Sequence, residues 1–175
     1  TYVDVAVMAP ITPRGHETPM LAAAEDTEMV AARLQAAGLA PRFVGTEIGR
    51  ASTIKMLRSV MVKGMEALTV ECFRAAARAG VAEEVANSLD ASEGGLGWAE
   101  QTAYNMERMT AHGIRRAAEM REVAKTLRGL DVAPAMTTGT ISWEEEMGAL
   151  DLSLDSGTPL AEQLTLIERA LEKGE

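Results

Sequence analysis

Gly49-Arg50-Ala51-Ser52-Thr53-Ile54-Lys55-Met56-Leu57-Arg58-Ser59 opens a stretch that reaches Ala79 without a proline and with only Gly64 inside it. Its apolar residues recur at helical rather than alternating spacing, and Gly80 supplies a stop. At about 1.5 Å per residue a helix over residues 49–79 would be about 45 Å long, more than a compact domain of this size needs for itself. It is apolar on most sides, through Ile54, Leu57, Val60, Met61, Met65 and Leu68. Such a helix is expected to be buried all round, centrally in a domain or in a subunit interface.

Downstream the pattern stays helical. Further helices are predicted over Val81–Leu89, Trp98–Ala111, Ile114–Leu127, Pro134–Ala149 and Pro159–Leu171, with Thr158-Pro159 as N-cap and first residue of the last one. Turns at Glu93-Gly94-Gly95, Gly113, Gly129 and Asp155-Ser156-Gly157 are expected to separate them, and His112 beside Gly113 to cap a helix end. Upstream the pattern is different. Tyr2–Ala9 and Thr18–Ala24 read as apolar strands with a loop over Ile11–Glu17 between them. Glu25-Asp26-Thr27-Glu28 puts acid at a helix start, Gly38 ends that helix, and Pro41–Gly45 reads as a third strand. A strand as apolar as Tyr2–Met8 is expected to need neighbours on both sides. The chain is therefore expected to be part of a longer protein whose other strands lie upstream. The expected fold class is mainly α, with a short α/β remnant over residues 1–46 and an all-helical domain over 47–175.

Composition agrees. The 175 residues can hold one full domain, or a small domain with part of another. Hydrophobic residues make up 47% of the chain and aromatics only 3%, with eleven methionines, a mix that favours helix packing over a β-sandwich. The methionines that recur at helical spacing (Met56, Met61, Met65, Met106, Met109 and Met120) read as core or dimer packing. The formal charge of −9 argues against a nucleic-acid surface, which needs a basic stripe. The one cysteine, Cys72, excludes an internal disulfide, fits a reducing cytoplasm and reads as a small core residue. No apolar run approaches the ~18 residues of a membrane span, so a cytoplasmic protein without a membrane partner is expected. His16 and His112 stand too far from other ligand types for a metal site. Arg115-Arg116 reads as a solvated helix face or a phosphate contact, and Glu144-Glu145-Glu146 as a surface charge run.

At about 100° per residue, Lys55, Ser59, Val62 and Glu66 fall on one narrow helix face, flanked by Arg58 and Lys63. A lysine and a hydroxyl four residues apart on a helix otherwise built for burial suit proton transfer, because burial makes a lysine give up its proton more readily. Spacing alone leaves the plainer alternative open, a solvated or salt-bridged stripe in which Lys55 or Lys63 pairs with Glu66.

Gly49, Ala51, Lys55, Arg58 and Ser59 stand at the places of a Gly-x-Gly-x-x-x-Lys-x-x-Asn-Asn pattern. On these residues the chain resembles the β-hydroxyacid dehydrogenases, the superfamily that includes 6-phosphogluconate dehydrogenase. Asp4 to Pro19 lies without a gap along that family's substrate loop, with Asp4, Val7 and Thr18 agreeing and Met8-Ala9-Pro10 standing where the family has Ser-Gly-Gly. Arg121-Glu122-Val123 stands where it has Lys-Asp-Leu near the nicotinamide. The chain is most similar to a subgroup whose members carry a C-terminal domain of unknown function.

The resemblance implies the C-terminal strands and helix of a Rossmann-type NAD(P)-binding domain over residues 1–46, and an α-helical substrate-binding and dimerisation domain over 47–175. It implies an NAD- or NADP-dependent oxidoreductase acting on a small hydroxy acid or related alcohol, with Lys55 as general acid/base during hydride transfer. Met8, Ala9, Pro10 and Ser59 would meet the substrate, and Arg121 and Glu122 the cofactor. Pro10 offers no backbone donor, so Arg14 or His16 is expected to supply the charge for the substrate. The glycine-rich phosphate loop that opens the family's first strand is absent from this sequence, so the fragment alone is expected to be inactive. A homodimer is expected. The rival expectation is a non-catalytic helical dimerisation module in which Lys55 is structural.

Overall fold

The computed structural model describes residues 2–92, 97–155 and 157–172. The turn expected at Glu93-Gly94-Gly95, and Ser156 of the later one, lie outside the described residues. The chain forms two compact units, residues 1–58 and 59–175.

In the first unit, strands β1 (Asp4–Val7), β2 (Met20–Ala23) and β3 (Arg42–Phe43) form a sheet in the order β1-β2-β3. β1 runs antiparallel to β2, Asp4 opposite Ala23 and Val7 opposite Met20, and β2 runs parallel to β3. Each strand is shorter than its apolar run. β1 alternates, with Asp4 and Ala6 buried and Val5 exposed. Among the described residues it ends the sheet, and one face alone is covered. Helix α1 (Thr27–Ala36) begins where the acidic run predicted, with Asp26 Oδ1 accepting from the Met29 N–H at 2.9 Å, and Gly38 at φ +77° ends it. The expected loop 11–17 holds a 3-10 turn, Gly15–Glu17, closed by the Thr18 hydroxyl donating to the Gly15 carbonyl at 2.6 Å.

Helix α2 (Arg50–Arg78) starts in the first unit, within a residue of each predicted bound. Ala51 and Ile54 in its first turns pack with Ala6, Leu21, Met8 and Val44.

The second unit holds the rest of α2 with α3 (Ala82–Ser92), α4 (Trp98–Gly129), α5 (Ala135–Gly148) and α6 (Leu160–Glu172). Its core gathers Val70, Phe73, Met106, Met109, Met147, Leu164 and Ile167. The main departure from expectation is α4, one helix of 32 residues that runs straight through Gly113. Gly113 is not a turn. A Cβ there would lie 2.8 Å from the Gly148 backbone and closer still to the Glu144 carbonyl oxygen, so the glycine lets α4 and α5 touch backbone to backbone. His112 accordingly sits mid-helix and exposed, capping nothing. The Pro159 carbonyl accepts from Glu162 and Gln163, which puts Pro159 at the N-cap place of α6 and not inside it.

α2 is not buried all round. Met61 (66% exposed), Met65 and Leu68 (52%) form an exposed stripe, and Cys72 is exposed rather than in the core. Met106, Met109 and Met120 are fully buried as core residues. The chain is thus mainly helical, with a short α/β portion at its start. Among the described residues no helix is long and apolar enough to cross a membrane.

Candidate functional site

The first unit's site is built on the start of α2. Gly49 takes φ +97° just before the helix, and the first-turn N–H groups need acceptors. Asp4, buried on β1, supplies them. Its carboxylate accepts from the Ser52 N–H at 3.1 Å and the Ser52 hydroxyl at 2.5 Å, and from the N–H groups of Ala51 and Gly49. Burial pushes the Asp4 carboxyl up, but these hydrogen bonds outweigh it and hold the group below the usual carboxylate range. This long-range cap ties β1 to the helix that carries Lys55.

Lys55 follows Ser52 by three residues and Ile54 by one. Ala51 and Ile54 take the face that packs in the cluster; Lys55, about 40° from Ala51 and about 100° from Ile54, lies at the edge of that face and is exposed. The burial expected around it is therefore not found. Met8 joins the same cluster as Ile54, and its N–H donates to the Pro19 carbonyl at 2.9 Å, closing the base of the segment between β1 and β2. Ala9 is half-buried at the base of that segment, and Pro10, Arg14 and His16 are exposed along it. The first unit thus holds Lys55 together with Met8, Ala9, Pro10, Arg14 and His16. Ser59, Arg121 and Glu122 belong to the second unit. There exposed Arg121 pairs with Glu145 of α5, and Glu122 pairs with Lys125 at 2.7 Å along α4.

The second unit contains a charge network that sequence reading missed. Lys63 and Glu66 do not pair with each other. Lys63 reaches Glu119 on α4 at 2.8 Å, where Arg115 also binds, and Glu66 pairs with Arg116. Arg116, expected on a solvated face, is 2% exposed and holds Glu144 as well, Nε to Oε1 at 3.1 Å. Glu144, expected in a surface run, is 0% exposed. The missed signal was that Thr137, Thr140, Glu144 and Met147 share one face of α5 at helical spacing. Burial raises the Glu144 carboxyl to about 7, against the pull of Arg116.

For a dinucleotide the fit is poor. The turn from β2 into α1 reads Ala24-Glu25-Asp26, with the helix N-terminus already capped by Asp26 and flanked by Glu25 and Glu28. Carboxylates there repel the pyrophosphate that such a turn would cradle. Among the described residues no cluster of three or more His, Cys, Asp or Glu could hold a metal ion.

Residues 76–147 match the model of a domain of unknown function, DUF1932. The chain resembles the crystal structure of a conserved hypothetical protein from Sinorhizobium meliloti 1021 with a TM-score of 0.83 and 34% identity, over 96% of this chain and 57% of that one. It also resembles a conserved protein of unknown function whose structure is described as similar to 3-hydroxyacid dehydrogenases. There the TM-score is 0.73 and the identity 33%, over 84% of this chain and 56% of the other. An uncharacterized 28.5 kDa protein of Methanothermus fervidus is 29% identical over 103 residues, 59% of this chain and 41% of that protein. The chain therefore spans under half of that curated relative and little more than half of the two solved ones. The resemblance to hydroxyacid dehydrogenase-like proteins holds, in the helical domain and in the fold.

Proposed function

We propose that the chain is the substrate-binding C-terminal part of an NAD- or NADP-dependent oxidoreductase of the hydroxyacid type, with Lys55 as general acid/base on the substrate hydroxyl. The observation that carries this reading is the packing of Met8 and Ile54 in one cluster, with Asp4 clamped on the first turn of α2. That arrangement packs Met8, the first residue of the segment 8–18, in one cluster with Ala51 and Ile54 of the turn that precedes Lys55.

In this reading Lys55 Nζ takes or gives the hydroxyl proton. Arg14 and His16, both exposed on the segment, offer the positive charge for the substrate carboxylate, since Pro10 lacks an N–H to donate. Ser59 would give the substrate a hydrogen bond, and Arg121 and Glu122 would meet the nicotinamide, the roles the resemblance implies. The described residues do not cradle the pyrophosphate. Exposed Met61, Met65 and Leu68 support a second element of the proposal, a homodimer formed through α2 in the cytoplasm. The same stripe also favours the rival reading, a helical dimerisation module without catalysis.

The full-length protein decides between them, assayed with NAD and NADP on 3-hydroxypropionate, 3-hydroxybutyrate and other small hydroxy acids. Lys55→Ala should lower kcat at least ~10²-fold, the usual size of a general acid/base contribution. Lys55→Arg should not rescue it, because guanidinium keeps its proton. Ser59→Ala should be milder, at about 0.5–1.5 kcal/mol. Near wild-type turnover in Lys55→Ala would return Lys55 to a structural role.

A further inference from the structure

We propose that Glu144 is a proton-uptake site inside the helical unit, sharing the one guanidinium of Arg116 with Glu66 and making the contact of α5 with α4 responsive to pH near neutrality. This inference is independent of the proposed reaction.

Arg116 on α4 lies between two buried carboxylates, Glu66 of α2 and Glu144 of α5. One cation cannot neutralise both, and two carboxylates sharing a site do not both ionise freely. Lys63 pulls the Glu144 carboxyl down through space and Glu119 pushes it up, but neither gives it a second ion pair. On α2, Lys63 is committed to Glu119. On α4, Glu119 adds negative charge, Arg115 binds that same Glu119 from the solvent side, and Arg108 acts only through space. On α5 itself Glu145 is tied to Arg121 and Glu146 to Arg74, while Glu168 of α6 also faces Arg74.

Glu144 is fully buried, and its own carbonyl is the atom that the missing Cβ of Gly113 would strike. The side chain is thus enclosed beside a point where the two helix backbones touch. Of the carboxylates round Arg116 and Lys63, Glu144 is the most deeply enclosed, so the surplus charge is removed most cheaply by a proton there. Burial accordingly pushes this carboxyl up to about 7, while Arg116 pulls the other way.

The sign follows from linkage. A carboxyl raised above its unfolded value of 4.5 binds its proton in the folded state first. Its contribution to stability is complete below pH 4.5 and is lost as pH rises through about 7.

The test is urea unfolding of the full-length protein from pH 5.5 to 8.5. Both tryptophans of this sequence, Trp98 and Trp143, lie in the helical unit, and Trp143 adjoins Glu144, so their fluorescence reports on it. One proton changes the folding constant by at most about tenfold per pH unit, or roughly 30-fold between pH 5.5 and 7, levelling off above that. Glu144→Gln keeps the shape and cannot ionise, so it should lose this component. Glu66→Gln leaves Arg116 to Glu144 alone and should move the transition to lower pH. Should Glu144→Gln fail to fold, the shift in Glu66→Gln decides. Equal pH slopes in wild type and Glu144→Gln, or no shift in Glu66→Gln, would overturn the proposal.

Discussion

Gly113→Ala is the perturbation whose sign separates two readings of the helical unit. In an ordinary helix interior, replacing glycine by alanine gains about 1 kcal/mol, because glycine loses more backbone freedom on folding. Gly113 is inside α4, so a purely local argument predicts stabilisation. The structure predicts the reverse. The new Cβ would stand 2.8 Å from both N and Cα of Gly148 and closer to the Glu144 carbonyl oxygen. All three are backbone atoms, so no flexible side chain can give way, and α5 itself must move. Overpacking of this kind costs typically 1–3 kcal/mol and occasionally more. The displacement also disturbs Arg116 and Glu144, which lie at the same contact.

We therefore expect a net loss of about 2 kcal/mol, which lowers the Tm by roughly 6 °C for a chain of this length. Thermal unfolding followed by far-ultraviolet circular dichroism measures it. Gly148→Ala should behave alike, since its Cβ would meet the Ile114 nitrogen at 2.6 Å and Gly113 atoms at 2.9 Å. Gly139→Ala is the internal control. It lies on α5 with nothing within 4 Å of its Cβ, and should gain about 0.4–1 kcal/mol. If Gly113→Ala is as stable as wild type or more so, the backbone contact is not what holds α4 on α5, and the confinement argument for Glu144 falls with it.

Two further outcomes test other parts of the structure. Asp4→Ala should cost the first unit about 1–2 kcal/mol through the lost cap on α2, and Ser52→Ala less; urea unfolding measures both. Because the Asp4 carboxyl is held below its ordinary 3.8, its contribution is present above that value and is lost as pH falls through the lower folded value, a loss that Asp4→Ala should abolish. Met61→Glu and Leu68→Glu should each weaken self-association of the full-length protein at least ~10-fold by placing charge in the exposed stripe of α2. Sedimentation equilibrium reads this, and a wild-type protein that is monomeric at micromolar concentration would remove the dimer from the proposal.

The sequence made α2 legible to within a residue at each end, and α1 with its Asp26 cap, because those signals are local: periodicity, a capping side chain, a glycine that takes positive φ. It misread Gly113 for a related reason. A glycine that ends a helix and one that admits another backbone look alike within a short window, and the deciding neighbour, Gly148, is distant in sequence. Glu144 failed in the same way. In isolation Glu144-Glu145-Glu146 is a charge run, and only Arg116, from another helix, lowers the cost of burying its first member. The long-range cap from Asp4 to Ser52 was equally invisible to spacing. The proposal that segment 8–18 partners Lys55 came only from the family resemblance, since nothing in its own pattern points to the helix.

The polar stripe of α2 shows what this means for function. From spacing, Lys55, Ser59, Lys63 and Glu66 were one feature with two readings, chemistry or salt bridges. The structure divides it. Lys63 and Glu66 are buried and committed to Glu119 and Arg116, so for that half the salt-bridge reading is right. Altering Lys63 would leave the Glu119 carboxylate without its buried partner and disturb folding of the second unit, and a loss of activity there would carry no catalytic meaning. Lys55 lies in the other unit, exposed on a turn fixed to β1 through Asp4. Its removal leaves that cap and the packing of Ala51 and Ile54 in place. A fall in kcat on changing Lys55, with the Tm unchanged, would therefore report on chemistry, which is why the choice between enzyme and dimerisation module rests on that residue and not on the stripe as a whole.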